Sequence, residues 1–186
     1  MALGTNINAA LATVQRGGLL AYPTEAVFGL GCNPSDLRAV ERLLALKQRP
    51  VEKGLILIAS DLSQLADYLE PIPSDILARI QPTWPGAVTW LLPAKPTVPT
   101  LIRGAHNTLA VRISAHPVCQ QLCHSLGHAL ISTSANRTTE IAARDAQTVQ
   151  AYFGEAVDYI LDLPTSGQAQ PSEIRDALSG TIVRAR

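Results

Sequence analysis

Two interruptions decide what this chain can fold into. Short apolar runs alternate with amphipathic ones along most of its 186 residues, but two helical patterns follow one another at 61–80, and the proline-rich "PAKPTVPTLIRGAHN" separates two strand patterns. Strict strand–helix alternation builds a parallel, doubly wound sheet. Its failure here predicts an α/β single domain over 1–186 with a mixed, twisted sheet and helices packed on it.

Strands are read in "LLAY", stopped by Pro23, and in "GLILIA", "AVTWLL", "TLAVRIS", "HALIS" and "DYILD"; "SEIRDAL" and "GTIVRAR" form a closing hairpin around Ser179-Gly180. Helices are read over Asn6 to Arg16, over "SDLRAVERLLALKQR" with Ser35 as cap and Pro50 as stop, and from Asp61 to near Leu69. Others span Ser74 to Ile80, "PVCQQLCHSL", and a region near Asp145 to Tyr152. "PTEAVFGLGCNP" reads as a loop. Its Gly29-Leu30-Gly31 resembles the start of a dinucleotide fingerprint, but Pro34 replaces the third glycine and no helix opens at once. The proline-rich stretch must cross the surface or edge a cavity.

Hydrophobic residues make up 47% of the chain, yet no predominantly apolar run is long enough for a membrane span. The N-terminus lacks the basic start of a signal peptide and carries Arg16, so a cytoplasmic protein without membrane contact is expected. Fifteen bases balance fifteen acids, which argues against coating nucleic acid by bulk charge but leaves room for a local basic cleft. All but Lys47, Lys53 and Lys95 of those bases are Arg, whose planar fork suits phosphate and carboxylate. Cys119 and Cys123, with His116, His124 and His128 nearby, are either a metal site or part of a helix face with Val118, Leu122 and Leu126. The second reading is preferred, because small cysteines pack in cores and no second cluster completes a zinc set.

Three features sit oddly. Leu37, Val40, Leu43 and Leu44 form a helical stripe, and Lys47 falls on its continuation, where it must snorkel or meet an anion. Arg49 and Lys53 follow, placed to complement a helix C-terminus or to hold phosphate. In "TLAVRIS", Arg112 shares a face with Thr108, Ala110 and Ser114, either solvated or at an anion site. "ISTSAN" sets Ser132, Thr133, Ser134 and Asn136 at a strand end, as a turn or as a holder of something. No nucleophile constellation is visible, so catalysis would rest on positioning and electrostatics.

Together "YPTEAVFGLG", Lys47-Gln48-Arg49-Pro50, "KGLILIA", "WPGAVT", "LAVRIS", "STSAN", "PSEIRDA" and the final "VR" make the chain similar to the YrdC/TsaC family of threonylcarbamoyl-AMP synthases, in its short single-domain form. The resemblance implies a YrdC-like twisted sheet around a basic concave cavity. It also implies a reaction in which L-threonine, bicarbonate and ATP give threonylcarbamoyl-adenylate and pyrophosphate. Partner proteins then pass the group to tRNA. Carried over by position, Lys47 and Arg49 meet the ATP phosphates and act in catalysis, Lys53 faces the same cavity, and Thr108, Ser134, Asn136 and Arg184 contact the nucleotide. Arg112 holds the threonine carboxylate, Ser132 and Ser172 line its pocket, and Thr24 lies in the loop that closes it. Ala26 and Phe28 stand where many relatives have Thr and Tyr, and "RTTEIAAR" replaces a Ser-Gly type turn after Asn136.

Mg²⁺ is expected to arrive with ATP and keep its waters, since no compact carboxylate cluster marks a dedicated site; Glu25 is a candidate carboxylate to hold one of those waters. "YPTEAVFGLG" and the loop 163–171 are candidate lids. The rival readings are an RNA-binding module, against which the few aromatic residues count, and a silent scaffold in a tRNA-modifying complex.

Overall fold

The computed structural model describes residues 2–137 and 140–185. Its first half runs β1 (Ala2–Gly4), α1 (Ile7–Gln15), β2 (Leu20–Pro23), β3 (Phe28–Gly31), α2 (Leu37–Lys47), β4 (Ile56–Ala59), α3 (Ser74–Ile80) and β5 (Val88–Pro93). The second half runs α4 (Thr100–Arg103), β6 (Thr108–Ile113), α5 (Pro117–Leu126), β7 (Leu130–Ser134), α6 (Ala146–Phe153), β8 (Tyr159–Leu161), β9 (Glu173–Asp176) and β10 (Ile182–Arg184).

The strands lie side by side in the order β1-β8-β2-β3-β7-β4-β6-β5-β9-β10. Pairs β1·β8, β2·β8, β4·β6 and β5·β9 are parallel, and the rest are antiparallel. The sheet is therefore mixed, as the broken alternation predicts, and the expected closing hairpin is β9–β10.

Period-two alternation divides the core. Ala21, Leu57, Ile131 and Ile160 point into one apolar layer with Val40, Leu43 and Leu44 of α2, Ile76 of α3 and Val149 of α6. Their neighbours Leu20, Tyr22, Ile58, Leu130, Tyr159 and Leu161 point into a second layer with α1 and with Val118, Cys119, Leu122 and Cys123 of α5. Cys119 and Cys123 are thus core residues, and burial pushes the Cys119 thiol up to about 12. The second face is not wholly covered by helix. Gly29 pairs with Ser134, Ile56 with Ser132, and Ile58 with Arg112, so these residues share that face and leave small or polar groups where apolar ones would pack.

Several expectations are corrected. A third of the "PTEAVFGLGCNP" loop is strand β3, paired with β2 and β7, and Pro23 belongs to β2 instead of stopping it. The glycines of "GLG" serve this pairing: a Cβ on Gly31 would lie 2.1 Å from the Ile131 carbonyl oxygen, whereas one on Gly29 meets side-chain atoms, Ser132 Oγ at 3.3 Å and Thr24 Cγ2 and Tyr22 Cζ each at 3.4 Å. Asp36, not Ser35, caps α2, because its carboxylate accepts from the Arg38 and Ala39 amides while the Ser35 amide donates to Asn33 Oδ1 in the preceding turn. Leu37 is 39% exposed and leaves the stripe, which runs through Val40, Leu43 and Leu44 to a buried Lys47. Each of those three apolar side chains contributes about 2 kcal/mol, enough to seat the helix with a lysine at its end. The helix expected after Asp61 is a single 3-10 turn over Leu62–Leu65, and the proline-rich stretch contains α4 with Ile102 buried. "ISTS" belongs to β7 itself, so the polar residues start inside the strand.

Candidate active site

A cavity of about 300 Å³ opens on the face where the sheet offers glycine and serine. Its floor is Gly29, Ile56, Ser132 and Ser134; its walls are the turn 24–28, Pro171, Ser172 and Arg184, with Arg49, Arg112 and Asn136 reaching in. Of the residues expected in a site, Thr24, Arg49, Arg112, Ser132, Ser134, Asn136, Ser172 and Arg184 are thus brought together from across the chain.

One end is built around the exit of α2. Gln48 takes a left-handed conformation at φ 50°, ending the helix and sending Arg49 toward the cavity. Arg49 Nε donates to the Gly54 carbonyl at 2.9 Å, and Arg184 Nη2 donates to the Ser172 carbonyl at 2.7 Å. Lys47 Nζ donates to the Ser134 carbonyl, to the Asn136 carbonyl at 2.7 Å and to Asn136 Oδ1 at 3.3 Å. The same Oδ1 accepts from Ser134 Oγ at 2.6 Å, and Asn136 Nδ2 donates to the Glu140 carbonyl, so the turn after β7 is folded round an ammonium. Burial, then the charge of Arg49, pulls the Lys47 pKa down to about 8. Burial likewise lowers the pKa of Arg49, and that of Arg184 falls through burial and repulsion from Arg112 and Arg49.

The other end is built differently. Arg112, 6% exposed, is not on a solvated strand face; its Nη2 lies 3.4 Å from Oε2 of Glu25, which is 3% exposed. Glu25 Oε1 accepts from Ser114 Oγ at 2.7 Å and from the Ala115 amide at 3.2 Å. Burial alone would raise the Glu25 pKa, but Arg112 and these donors outweigh it and hold it below the ordinary carboxylate range. Thr24 Oγ1 donates to the Val27 carbonyl at 2.7 Å, closing a tight turn, and Ser172 Oγ lies 3.0 Å from Thr89 Oγ1. The 163–171 loop is tied to the same wall, since Ser166 and Gln168 amides donate to the Thr24 and Glu25 carbonyls. His116 accepts from the Val118 amide at Nδ1 and faces the Pro164 carbonyl with Nε2, a capping arrangement.

Lys47, Lys53 and Thr108 do not line the cavity; Lys47 meets it only through the Ser134 and Asn136 groups it bonds. Lys53 is exposed on a 3-10 turn, and Thr108 opens β6 opposite Pro93, on Arg112's face but about 13 Å along the strand. Thr138 and Thr139 of the departing "RTTEIAAR" segment lie outside the described residues. Sequence reasoning gave Glu25 only a metal-related role; a lone carboxylate in an otherwise uncharged loop was the signal that it needed a buried cation.

Fold and site define a mixed-sheet α/β protein with an arginine-lined cavity. A model of the Sua5/YciO/YrdC family, described as "Telomere recombination", matches residues 12–186, and the chain belongs to this family. It is 52% identical to a threonylcarbamoyl-AMP synthase from Nitrosococcus oceani over 92% of each chain. Among solved structures, P. abyssi Sua5 complexed with L-threonine superposes with a TM-score of 0.86 at 29% identity, covering 95% of this chain and 53% of that one. The chain thus spans about half of that Sua5. E. coli YciO superposes with a TM-score of 0.83 at 27% identity, over the whole of this chain and 92% of that one.

Proposed function

We propose that this chain acts as a threonylcarbamoyl-AMP synthase. L-Threonine and bicarbonate give N-carboxy-threonine and water; the new carboxylate then attacks the α-phosphorus of ATP, the α–β bond breaks, and pyrophosphate leaves. The adenylate is handed to partner proteins for tRNA modification, in the cytoplasm. Among the described residues no helix is long and apolar enough to cross a membrane.

One observation carries the reading. A single cavity holds one guanidinium, Arg112, with a buried counter-ion, and two others, Arg49 and Arg184, bonded to main-chain carbonyls. Two anions must meet for this reaction, and in a poorly hydrated site their repulsion is screened only by fixed charge. Arg112 is assigned the threonine carboxylate, with Ser132, Ser172 and the Thr24 turn shaping the pocket. Arg49 and Arg184 are assigned the phosphates, with Ser134 and Asn136 against the nucleotide. Lys47 is assigned a share in the phosphate field and the support of the 134–136 turn.

Mg²⁺ enters as MgATP. Among the described residues no group of three His, Cys, Asp or Glu clusters, and the cavity carboxylate Glu25 is engaged by Ser114, Ala115 and Arg112. No protein carboxylate is therefore assigned to the metal. Incubation with ATP, L-threonine and bicarbonate is expected to release pyrophosphate only when threonine is present. Threonine-independent release, or none with RNA retained on a filter, contradicts the proposal.

A further inference from the structure

The cavity has to keep an amino-acid carboxylate and a polyphosphate at their own ends. We propose that Glu25 performs this sorting: it neutralises Arg112, so that this end accepts a single carboxylate and refuses polyphosphate. The inference rests on the reading of Arg112 as the carboxylate holder.

Three observations carry it. First, the cavity arginines differ in company. Among the described residues Arg49 and Arg184 have no carboxylate within 4.0 Å and donate instead to the Gly54 and Ser172 carbonyls, while Arg112 has Glu25 at 3.4 Å. Second, the Arg112–Glu25 pair is dry, with side chains 8% and 4% exposed, so its charges are screened by each other more than by water. Third, Glu25 is fixed as a carboxylate by geometry. Oε1 takes two donors, from Ser114 and Ala115, and Oε2, with no hydrogen-bond donor of its own, is turned to Arg112.

The consequence is a partition of charge. Arg49 and Arg184 present two uncompensated positive charges, Arg184 lying between the fields of Arg112 and Arg49, and a polyphosphate gains from both. The Arg112 end is close to neutral as a pair. A carboxylate still gains there from the planar donor fork, which rewards shape as well as charge. A polyphosphate gains little from the fork and is repelled by Glu25. Glu25, held by Ser114 and Ala115 and turned to Arg112, is a specificity-determining residue acting through Arg112.

The test uses Glu25→Gln, which keeps an acceptor for Ser114 and Ala115 and removes only the charge. Binding of radiolabelled L-threonine is followed by equilibrium dialysis with inorganic pyrophosphate as competitor, and folding is checked by circular dichroism. Pyrophosphate is expected to leave threonine binding to the wild-type protein nearly unchanged, and to compete with threonine in Glu25→Gln at concentrations about tenfold lower or less. A second variant, Glu25→Asp, keeps the charge but draws it back by one methylene, and is expected to fall between the two. A merely structural role weakens threonine binding without any new competition; that result in folded variants overturns the inference. No threonine binding by the wild-type protein contradicts the reading of the site itself and takes this inference with it, whereas threonine binding with unchanged competition contradicts the inference alone.

Discussion

At the end of the cavity beside α2, Arg49 is half-buried and bonded to a main-chain carbonyl, as is the exposed Arg184 on the wall; at the other end, Arg112 is buried against Glu25. The two ends solve the same physical problem under different constraints. A half-buried guanidinium keeps part of its hydration, so it can stand uncompensated, with burial showing as a lowered pKa. A guanidinium in the sheet interior cannot, because a dry unpaired charge costs several kcal/mol. Each arrangement fits the anion proposed for it: several charges for the first end, one for the second.

Breaking the uncompensated end is expected to give the largest effect. Lys47→Ala or Arg49→Ala should lower adenylate formation by more than about tenfold with the fold intact by circular dichroism. Wild-type turnover in a folded double variant contradicts the assignment. Lys47 also makes three bonds to the 134–136 turn, so its loss is expected to weaken adenosine binding as well as ATP binding. A loss confined to ligands with phosphates would restrict Lys47 to the phosphate field.

The floor common to both ends gives the next effect. Gly31→Ala drives a Cβ into the Ile131 carbonyl and is expected to cost about 2–3 kcal/mol of stability in urea unfolding. Gly29→Ala meets three side-chain atoms at 3.3–3.4 Å, which a shift of a few tenths of an ångström relieves, so it should fold nearly as well while narrowing the pocket between Ser132 and Thr24. Equal destabilisation by the two would mean that the close approach of β3 to β7 is not what selects the glycines.

The smallest effect is one of pH. Lys47, with its pKa lowered to about 8, is charged below that pH and loses its proton as pH rises through it. Phosphates favour the ammonium, so nucleotide binding raises this pKa and takes up about half a proton at pH 8. Affinity for ATP should therefore decline between about pH 7 and 9. Calorimetry at pH 8 in two buffers of different ionisation enthalpy should give different heats; equal heats after correction for the nucleotide's own protons sink this prediction.

Local signals in the sequence are the ones the structure reproduces best. The helix over Ser74 to Ile80 and the helix "PVCQQLCHSL" are found with those bounds, because periodicity and proline and glycine punctuation are local properties. Lys47 stood out because a charge on an apolar stripe is visible in sequence. Strand β3 did not, because Gly-Leu-Gly has little intrinsic preference for a strand and is held by its two neighbours. β1 was missed for a similar reason, being three residues held by β8. The meeting of Arg112 with Glu25 was not legible either, since the strand order that brings residues 25 and 112 together is a tertiary fact. Most of the residues named by the resemblance meet at the cavity, but Lys47, Lys53 and Thr108 lie outside its lining.

The most direct test of a two-ended cavity is a crossover in steady-state kinetics. KM for L-threonine and KM for ATP are measured in wild-type, Arg112→Ala and Arg49→Ala proteins. The account predicts that Arg112→Ala raises the threonine KM by about tenfold or more, well beyond any change for ATP, and that Arg49→Ala does the opposite. Equal effects on both substrates in both variants, or the reverse order, would show that the cavity is one undivided basic surface and would contradict the central claim.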